Sequence, residues 1–373
     1  MNFVIITHVQ HIKENSKYFG YAPYVREMNI WLKHVNQVTI VAPIEKTKLD
    51  DIHLAYTHKN IHFNEISNFN STSFLNSVRT LFKLPSILWT IFWTMKKAGH
   101  IHLRCPGNIG LLGCFVQILF PKTPKTAKYA GNWDPNAKQP VSYQLQKWIL
   151  NNTFLTKNMQ VLVYGAWEGS SKNIKPFFTA TYSETKKEAI LPRRLNSKIK
   201  FVFVGTLSIG KRPLYAIQLV ENLKKSGINA QLSFFGDGVL RNEIENYIEV
   251  NKLKEYVFLL GNQNKEVIEQ AYKESHFLIL PSKSEGWPKA VAEAMFWGCL
   301  PLTTNVSCVN YMIDNESRGK LLRLSLEDDI QLVQDLIQNE SVYLQMCVEA
   351  RDWSQQYTTD YFESEIVKLI ANS

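Results

Sequence analysis

The chain has 373 residues, of which 45% are hydrophobic and 20% are charged, with 17 glycines and 14 prolines. This length suits two domains of ordinary size, and the composition excludes a wholly disordered, collagen-like or coiled-coil protein. The five cysteines, at positions 105, 114, 299, 308 and 347, form no CxxC pair. Scattered cysteines in odd number indicate reduced, buried thiols in an intracellular protein.

The net charge of +9 is unevenly distributed along the chain. Residues 1–200 contain 26 Lys and Arg against 10 Asp and Glu, giving +16, and the remainder contains 16 against 23, giving −7. The basic half predicts an anionic partner: nucleic acid, an acidic membrane surface or a phosphorylated substrate. The start of the chain lacks the features of a signal peptide, and the most apolar stretch, residues 84–95, is too short to span a bilayer as a helix.

In the first half, apolar runs alternate with amphipathic segments, which predicts an α/β structure. The predicted strands are FVIITHV, QVTIVAP, AGHIHLR and TAKYAG, and the predicted helices lie near 22–34, 75–97, 108–118 and 141–151. Strands that alternate with helices form parallel sheets covered by helices on both faces.

The second half shows the same alternation more regularly. The predicted strands are 200–207, 230–236, 257–261, 276–281 and 299–304, and the predicted helices lie near 213–226, 239–252, 264–273 and 288–297. Ligands of such sheets bind beyond the carboxyl ends of the strands, so the functional residues are expected in the loops that follow them.

A basic, proline-containing segment, residues 191–198, precedes the first strand of the second half. We therefore predict two domains, residues 1–195 and 196–357. The tail from Asp360 reads as one more amphipathic helix. We take residues 358–373 as the bounds of this C-terminal helix.

The segment PSKSEGWPKAVAEAMFWG, residues 281–298, carries the strongest chemical signal. A strand ends at Pro281 and a helix is expected to begin near Pro288 and to end at Gly298. The amides that open the helix form a natural site for an anion such as a nucleotide diphosphate. Glu285 in the loop and Glu293 in the helix are candidates for accepting hydrogen bonds from sugar hydroxyls. Without this context they would be an ordinary loop acid and a solvated helix residue.

Two further loops follow strands of the same domain. In GTLSIGKRPLYAI, Gly205 closes the strand, and Lys211 and Arg212 are candidates for neutralising the diphosphate, the alternative being a solvent-facing basic turn. The glycine spacing is not that of a phosphate-binding P-loop. The second loop contains Gly236 and Gly238, which permit close backbone approach.

The second half resembles the nucleotide-sugar-binding domain of glycosyltransferase family 4, retaining enzymes of the GT-B architecture. The resemblance runs from about Phe201 to Leu322 through FVFVGTLSIGKRP, FFGDG, VFLLG, ILPSKSEGWPKAVAEAMFWG and PLTT. It implies a GT-B fold of two facing Rossmann-like parallel-sheet domains, with the C-terminal helix crossing back to the first. The first domain would bind the acceptor and the second the nucleotide sugar.

The resemblance also implies roles for single residues. Glu285 would contact the donor sugar, Glu293 the ribose hydroxyls, and Lys211, Arg212 and the amides after Glu285 the diphosphate. The donor-binding set is Gly205, Lys211, Arg212, Gly236, Gly238, Gly261, Glu285, Gly286, Trp287 and Glu293. Many relatives carry Arg after the glycine that corresponds to Gly205, where this chain has Thr206.

The first half resembles the family only in fold and strand positions. Where relatives often have a histidine, the stretch YAGNWDP offers Asn132 and Asp134, so Asp134 joins Glu285 and Lys211 as a catalytic candidate, the alternative being a turn-forming Asp-Pro step. The acceptor-binding candidates are His8, Gly20, Arg104 and Asn132. His8 has a structural role as its alternative, and Arg104 either binds an acceptor phosphate or forms a structural salt bridge.

Residues 78–97, VRTLFKLPSILWTIFWTMKK, join an aromatic run to the basic ends Arg79, Lys83, Lys96 and Lys97. Trp89 and Trp93 lie one turn apart on a shared helical face. An interfacial helix on an anionic leaflet has this pattern, as does a buried helix with Pro85 in its first turn. Nucleic acid is disfavoured as a partner because the basic residues are dispersed and no binding module is present.

Together these features predict a retaining hexosyltransferase that moves a sugar from a nucleotide-diphosphate donor, for example a UDP-sugar, to a lipid-linked or polysaccharide acceptor in surface glycan synthesis. The expected location is cytoplasmic, with the inner face of the plasma membrane as a peripheral site. No cofactor and no metal are expected, because no DxD-type cluster follows a strand. The alternatives are a nucleotide-sugar epimerase on the same architecture and a non-catalytic homologue that binds a nucleotide sugar or a membrane.

Overall fold

The computed structural model describes residues 1–50, 52–68, 74–188, 193–195 and 198–371, with the backbone alone for 74–81. The chain divides into two compact units. The first comprises Met1–Phe178 with Phe362–Ser373, and the second comprises Thr179–Tyr361.

The first unit is built on a seven-stranded parallel sheet. The ten strands of this unit are β1 (Asn2–Ile6), β2 (His11–Glu14), β3 (Lys17–Tyr21), β4 (Gln37–Ala42), β5 (His53–Ala55), β6 (Ile61–Glu65), β7 (His100–Cys105), β8 (Lys125–Tyr129), β9 (Met159–Tyr164) and β10 (Ile174–Phe177). The large sheet has the order β10-β9-β8-β7-β1-β4-β6. Val4 of the central strand β1 pairs with Thr39 on one side and Ile101 on the other. The order reverses between β1 and β7, which is the switch point of a doubly wound sheet.

Helices cover this sheet, and a small antiparallel sheet follows its first strand. The helices are α1 (Ala22–Leu32), α2 (Phe74–Lys96), α3 (Asn108–Val116) and α4 (Val141–Leu150). The antiparallel sheet has the order β2-β3-β5. Because the sheet is covered on both faces, β1 is a continuous buried run from Phe3 to Ile6.

The second unit contains a six-stranded parallel sheet with its own switch point. Its strands are β11 (Ile199–Val204), β12 (Ala230–Phe235), β13 (Val257–Leu259), β14 (Phe277–Leu280), β15 (Leu300–Thr304) and β16 (Lys320–Leu322). The order is β13-β12-β11-β14-β15-β16, and Phe201 pairs with Leu232 and Phe277. The reversal lies between β11 and β14, so the loops after these two strands are neighbours.

The remaining helices follow these strands in sequence. They are α5 (Pro213–Lys225), α6 (Arg241–Val250), α7 (Lys265–Glu274), α8 (Lys289–Phe296), α9 (Val309–Ile313), α10 (Leu326–Gln338), α11 (Glu340–Ser354) and α12 (Thr359–Ala371). From Phe362 onwards α12 belongs to the first unit. Its Glu363 accepts a hydrogen bond from Lys33 (2.8 Å) and lies 2.9 Å from the His34 ring.

The structure confirms the predicted strands and helices of both halves and adds elements that were not predicted. These are the small antiparallel sheet, β6, β9, β10, β16 and α9 to α11. All five cysteines are free and buried, as predicted. Pro85, expected in the first turn of a helix, lies inside α2. The helix continues past it because Ile87, Ile91 and Met95 are buried along one face.

The two units meet in sequence earlier than the predicted boundary at residue 195. The second unit begins at Thr179, and the ring of Tyr182 packs against Phe296 and Trp297 at centroid distances of 4.7 and 5.1 Å. This aromatic packing joins the residues after Phe178 to the second unit. The boundary segment 191–198 lies partly outside the described residues, since 191, 192, 196 and 197 are not described.

Candidate functional site

Two loops meet at the switch point of the second sheet. The loop after β11 runs over 205–212, and the loop after β14 runs over 281–288. The amide of Lys283 donates to the carbonyl of Gly210 (2.7 Å), and the Arg212 guanidinium donates to the carbonyl of Pro281 (3.1 Å). These bonds hold the two loops together at the position where doubly wound sheets bind their ligands.

An ion pair joins the same loops. The Lys211 ammonium donates a hydrogen bond to Oε1 of Glu285. The Lys211 side chain remains 27% exposed, whereas that of Glu285 is 9% exposed. The structure thus brings together two of the predicted catalytic residues. The partly exposed ammonium is available to an incoming anion, and the carboxylate fixes its position.

The start of α8 adds backbone donors beside this pair. Within the described residues, the amides of Glu285 and Gly286 have no protein acceptor. The Gly286 carbonyl accepts a hydrogen bond from Ser307 Oγ at 2.9 Å, which fixes the loop backbone. The positive end of the α8 dipole lies at the same place, so the loop combines free amides with a favourable field for an anion.

Glu293 is held by a different set of residues. Its Oε1 accepts a hydrogen bond from Thr181 Oγ1 at 2.8 Å. Burial raises the pKa of the Glu293 carboxyl, and Thr181, Lys289 and Lys265 act in the opposite direction. Glu285 and Glu293 therefore have separate partners, and sequence analysis did not anticipate Thr181 because it lies 112 positions away.

Backbone crowding explains two of the candidate glycines. A Cβ on Gly236 would lie 2.1 Å from the carbonyl oxygen of Gly205, and one on Gly238 would lie 2.5 Å from that of Leu207. Gly236 also has a φ of +138°. The loops after β11 and β12 thus approach so closely that only glycine fits. Gly261 accepts a hydrogen bond from the amide of Gly236 (2.8 Å), which brings the loop after β13 to the same edge.

Trp287 follows the free amides but directs its indole into an aromatic cluster. The ring is buried and stacks on Trp353 at a centroid distance of 6.4 Å, with Tyr357 at 6.1 Å. This packing anchors the loop from within the second unit. The role predicted for Trp287 concerns its backbone amide and not its indole.

In the first unit, Arg104 forms the salt bridge that was one of its two alternatives. Its Nη1 donates to Oε1 of Glu27 at 3.0 Å, and Lys128 Nζ lies 3.4 Å from the same oxygen. All three side chains are largely buried. The arrangement places two cations around one carboxylate at the carboxyl end of β7 and β8, next to the switch point of the first sheet.

His8 and Gly20 lie on the chain that follows β1. The His8 ring lies against Gly107, where a Cβ would be 2.6 Å from Nδ1. Desolvation, together with the nearby Arg104 charge, lowers the pKa of His8. A Cβ on Gly20 would lie 3.1 Å from Val25 Cγ2, so this glycine is tightly packed.

Asn132 and Asp134 form a turn in the loop after β8. Asn132 Oδ1 accepts from the amide of Asp134 at 2.9 Å, and Asp134 Oδ1 accepts from the amide of Asn136 at 2.8 Å. Lys147 donates to the Asp134 carbonyl at 2.8 Å. The turn, which was the structural alternative for Asp134, is therefore present. Asp134 belongs to the first unit, whereas Glu285 and Lys211 belong to the second.

Two features are absent from the described part of the chain. It holds no group of three or more His, Cys, Asp or Glu side chains arranged to bind a metal ion. It also contains no helix whose length and apolar character would suffice to span a bilayer.

The sequence of the second unit matches a known family. Residues 185–353 match the family described as glycosyl transferases group 1. The UDP-Gal:alpha-D-GlcNAc-diphosphoundecaprenol alpha-1,3-galactosyltransferase of Escherichia coli is 32% identical over 156 residues, which cover 41% of this chain and 40% of that enzyme. The chain spans less than half the length of each of the first three curated relatives that it matches.

Solved structures show the same architecture over the whole chain. The lipopolysaccharide outer core galactosyltransferase WaaB, in its apo form, aligns with a TM-score of 0.69 at 16% identity over 100% of this chain and 99% of that one. Anabaena HepE in complex with UDP and glucose aligns with a TM-score of 0.68 at 12% identity over 100% of both chains. At these identities the likeness establishes the fold, which is GT-B.

Proposed function

We propose that this chain, in which residues 185–353 form a glycosyl transferases group 1 domain, is a retaining hexosyltransferase of the family 4 type. It moves a sugar from a nucleotide-diphosphate donor to an acceptor hydroxyl, and it uses no metal. The observation that carries the proposal is the Lys211–Glu285 pair at the switch point of that domain, beside the free amides that precede α8.

The donor site follows from the charges of these two loops. The leaving group of the reaction is a nucleoside diphosphate, which gains negative charge as the glycosidic bond breaks. Lys211 and the amides of Glu285 and Gly286 stabilise that charge, and Arg212 supports the Lys211 loop through Pro281. Glu285 contacts the donor sugar and Glu293 the ribose hydroxyls. Gly205, Gly236, Gly238 and Gly261 give the backbone its close approach.

The acceptor is proposed to bind the first unit. Its candidate ligands are His8, Gly20, Arg104 and Asn132, with Asp134 near the reacting hydroxyl. The E. coli relative is named for a diphosphoundecaprenol-linked acceptor. By analogy we propose a lipid-linked or polysaccharide acceptor in surface glycan synthesis, and a peripheral location at the inner face of the plasma membrane. The remaining positive charge around Glu27 suits a phosphorylated acceptor.

Titration of UDP into the purified full chain tests the donor site. Replacement of Lys211 by alanine removes a charge-assisted contact to the diphosphate, so we expect UDP to bind about 10- to 100-fold more weakly. Lys254→Ala is the matched control, because this lysine forms an exposed ion pair with Glu249 in the same unit. Equal affinity of the two variants and the parent protein would contradict the site.

A second measurement separates binding from chemistry. Glu285→Gln keeps the shape of the side chain and removes one negative charge beside the diphosphate, so UDP binding should be unchanged or tighter. Transfer should nevertheless fall by at least about tenfold, because the carboxylate contact to the sugar is lost. Transfer is measured as acceptor-dependent release of nucleoside diphosphate over a panel of UDP-sugars. Release without any acceptor would favour hydrolysis or epimerisation instead.

A further inference from the structure

The amino-terminal edge of the first sheet, opposite the proposed acceptor site, draws several of its residues from a basic part of the chain. Between Glu65 and Glu168 the sequence contains 11 basic residues and one acidic residue, Asp134. In a parallel α/β unit the C-terminal ends of the helices gather at the edge where the strands begin. The end of α2, the chain before β8 and the chain before β9 therefore meet at this edge.

A pocket of about 490 Å³ opens at this edge. Among the described residues, four lysines and no carboxylate line it: Lys125, Lys157, Lys172 and Lys175. Lys125, which is 2% exposed, donates hydrogen bonds to the carbonyls of Phe120 (2.6 Å) and Thr123 (3.1 Å). Within the described residues its acceptors are these carbonyls and no carboxylate. The pocket therefore concentrates positive charge that its described lining residues do not neutralise.

Large apolar side chains are exposed on the segments that reach this edge. Trp89 is 65% exposed, Leu119 64% and Phe154 75%. Lysine ammonium groups lie over two of the aromatic rings at this edge: Lys96 over Trp93 at 4.5 Å and Lys157 over Phe154 at 5.1 Å. Aromatic rings combined with lysines are typical of protein surfaces that lie at the headgroup level of a bilayer.

A chain of contacts makes this one continuous surface. Trp89 contacts Trp93 at a centroid distance of 5.4 Å, and Trp93 contacts Phe92 at 5.7 Å. Phe92 in turn contacts Phe120 at 5.4 Å, and the Phe120 carbonyl accepts from the buried lysine of the pocket. The exposed tryptophans of α2 and the lysine pocket thus belong to the same edge. We call this surface the basic aromatic edge.

We infer that the basic aromatic edge docks the first unit on an anionic phospholipid surface, with a headgroup phosphate in the lysine pocket and Trp89, Leu119 and Phe154 at the headgroup level. The charge complementarity of four lysines without a carboxylate selects anionic over neutral lipid. Burial lowers the pKa of Lys125 to about 8, and a bound anion would raise it again because an opposite charge favours the ammonium form. The inference rests on the proposed function only for the peripheral location, since docking requires neither donor nor acceptor. Because this edge lies opposite the proposed acceptor site, docking through it favours the polysaccharide alternative over a lipid-linked acceptor held at the bilayer.

Co-sedimentation of the full chain with vesicles tests the inference. Vesicles of phosphatidylcholine alone are compared with vesicles of phosphatidylcholine and phosphatidylglycerol. We expect binding to the anionic vesicles, and a loss on the order of 100-fold in the triple variant Lys157→Glu, Lys172→Glu, Lys175→Glu, at about fivefold per lysine. Phe154→Ala and Trp89→Ala should each weaken binding without changing its dependence on phosphatidylglycerol.

The control makes the same charge change at the opposite edge of the same unit. Lys17, Lys46 and Lys48 are exposed in the chain that follows β1 and β4, at the carboxyl edge. Equal loss of binding in the Lys17→Glu, Lys46→Glu, Lys48→Glu variant would overturn the inference, because net charge alone would then explain it. Equal binding to neutral vesicles, no binding to either, or a stable dimer formed through this edge would overturn it as well. UDP binding to the same variants reports separately on the donor site.

Discussion

At the scale of single residues, two features shape the site of the second unit. Glycines allow two loop backbones to approach closely, and one ion pair joins the loops after β11 and β14. Gly236 and Gly205 lie so close that no side chain fits at the former. Lys211 and Glu285, 74 positions apart, meet because β11 and β14 are neighbours in the sheet. The loop that carries Lys211 thus begins at a backbone contact, between Gly205 and Gly236, in which no side chain takes part.

Replacement of Gly236 by alanine is expected to lower the free energy of unfolding by at least about 2 kcal/mol, because backbone strain adds to a clash with the Gly205 carbonyl. Gly227→Ala is the matched control. Gly227 also has a positive φ, of +92°, but a Cβ there meets nothing within 4 Å. Strain alone should cost the control about 1 kcal/mol. Urea unfolding followed by tryptophan fluorescence measures both, and equal destabilisation would refute the crowding.

At the scale of elements, one arginine joins the ends of two helices. Arg193 donates from Nη1 to the carbonyl of Lys273 near the end of α7, and from Nη2 to that of Gly298 (2.7 Å), just after α8. Gly298 has the positive φ of +65° that the sequence predicts for a helix C-cap. A cation at two helix C-termini satisfies their unpaired carbonyls and complements both helix dipoles.

We expect Arg193→Ala to destabilise the second unit by about 3 kcal/mol, since the carbonyls of two helix ends lose a charged donor. Arg193→Lys should recover only part of this, because one ammonium cannot span both helix ends. The neighbouring Arg194, which is exposed, gives the control Arg194→Ala. Unfolding midpoints in urea compare the three variants. The capping role is refuted if the two alanine variants unfold at the same urea concentration.

Element boundaries also show where periodicity is a sufficient guide. The amphipathic helices α1 to α8 and most buried strands of the parallel sheets were predicted closely, because burial of one face imposes a period that the sequence carries, whereas α10, α11 and β9 were not predicted. The half-polar strands HIKE, KYFGY and IHFNE were missed, since their burial comes from neighbours rather than from their own pattern. Pro85 was misplaced for a different reason, because the burial of one face of α2 outweighs the local preference of proline for the first turn of a helix.

At the scale of the whole molecule, the first unit keeps its buried histidines neutral. Burial lowers the pKa of His11 to about 4, of His100 to about 4 and of His102 to about 3. His11 is held by the Tyr56 hydroxyl at 2.8 Å, and His100 and His102 lie 2.9 and 2.8 Å from the Thr126 hydroxyl. The unfolded chain, with an ordinary histidine pKa near 6.5, takes up protons first as the pH falls.

The unfolding free energy should therefore fall as the pH drops from about 6.5 to about 4, by about 1.4 kcal/mol per pH unit for each buried histidine. Urea unfolding at about pH 7 and about pH 5 measures the change. His102→Asn removes one titrating group and should make the dependence shallower, whereas the exposed His62→Asn should retain it. A free energy that is constant across this range would contradict the assignment.

The sequence by itself determined the two-unit α/β plan, most strands and helices, the helix start after Glu285 and the likeness to group 1 glycosyl transferases. These features depend on periodicity, turn residues and short motifs, all of which are local. Only the tertiary structure decided which distant residues meet: Lys211 with Glu285, Thr181 with Glu293, Glu27 with Arg104 and Lys128, and four lysines around one pocket. The order of the strands in each sheet determines these long-range contacts. Local sequence patterns do not specify which strands become neighbours.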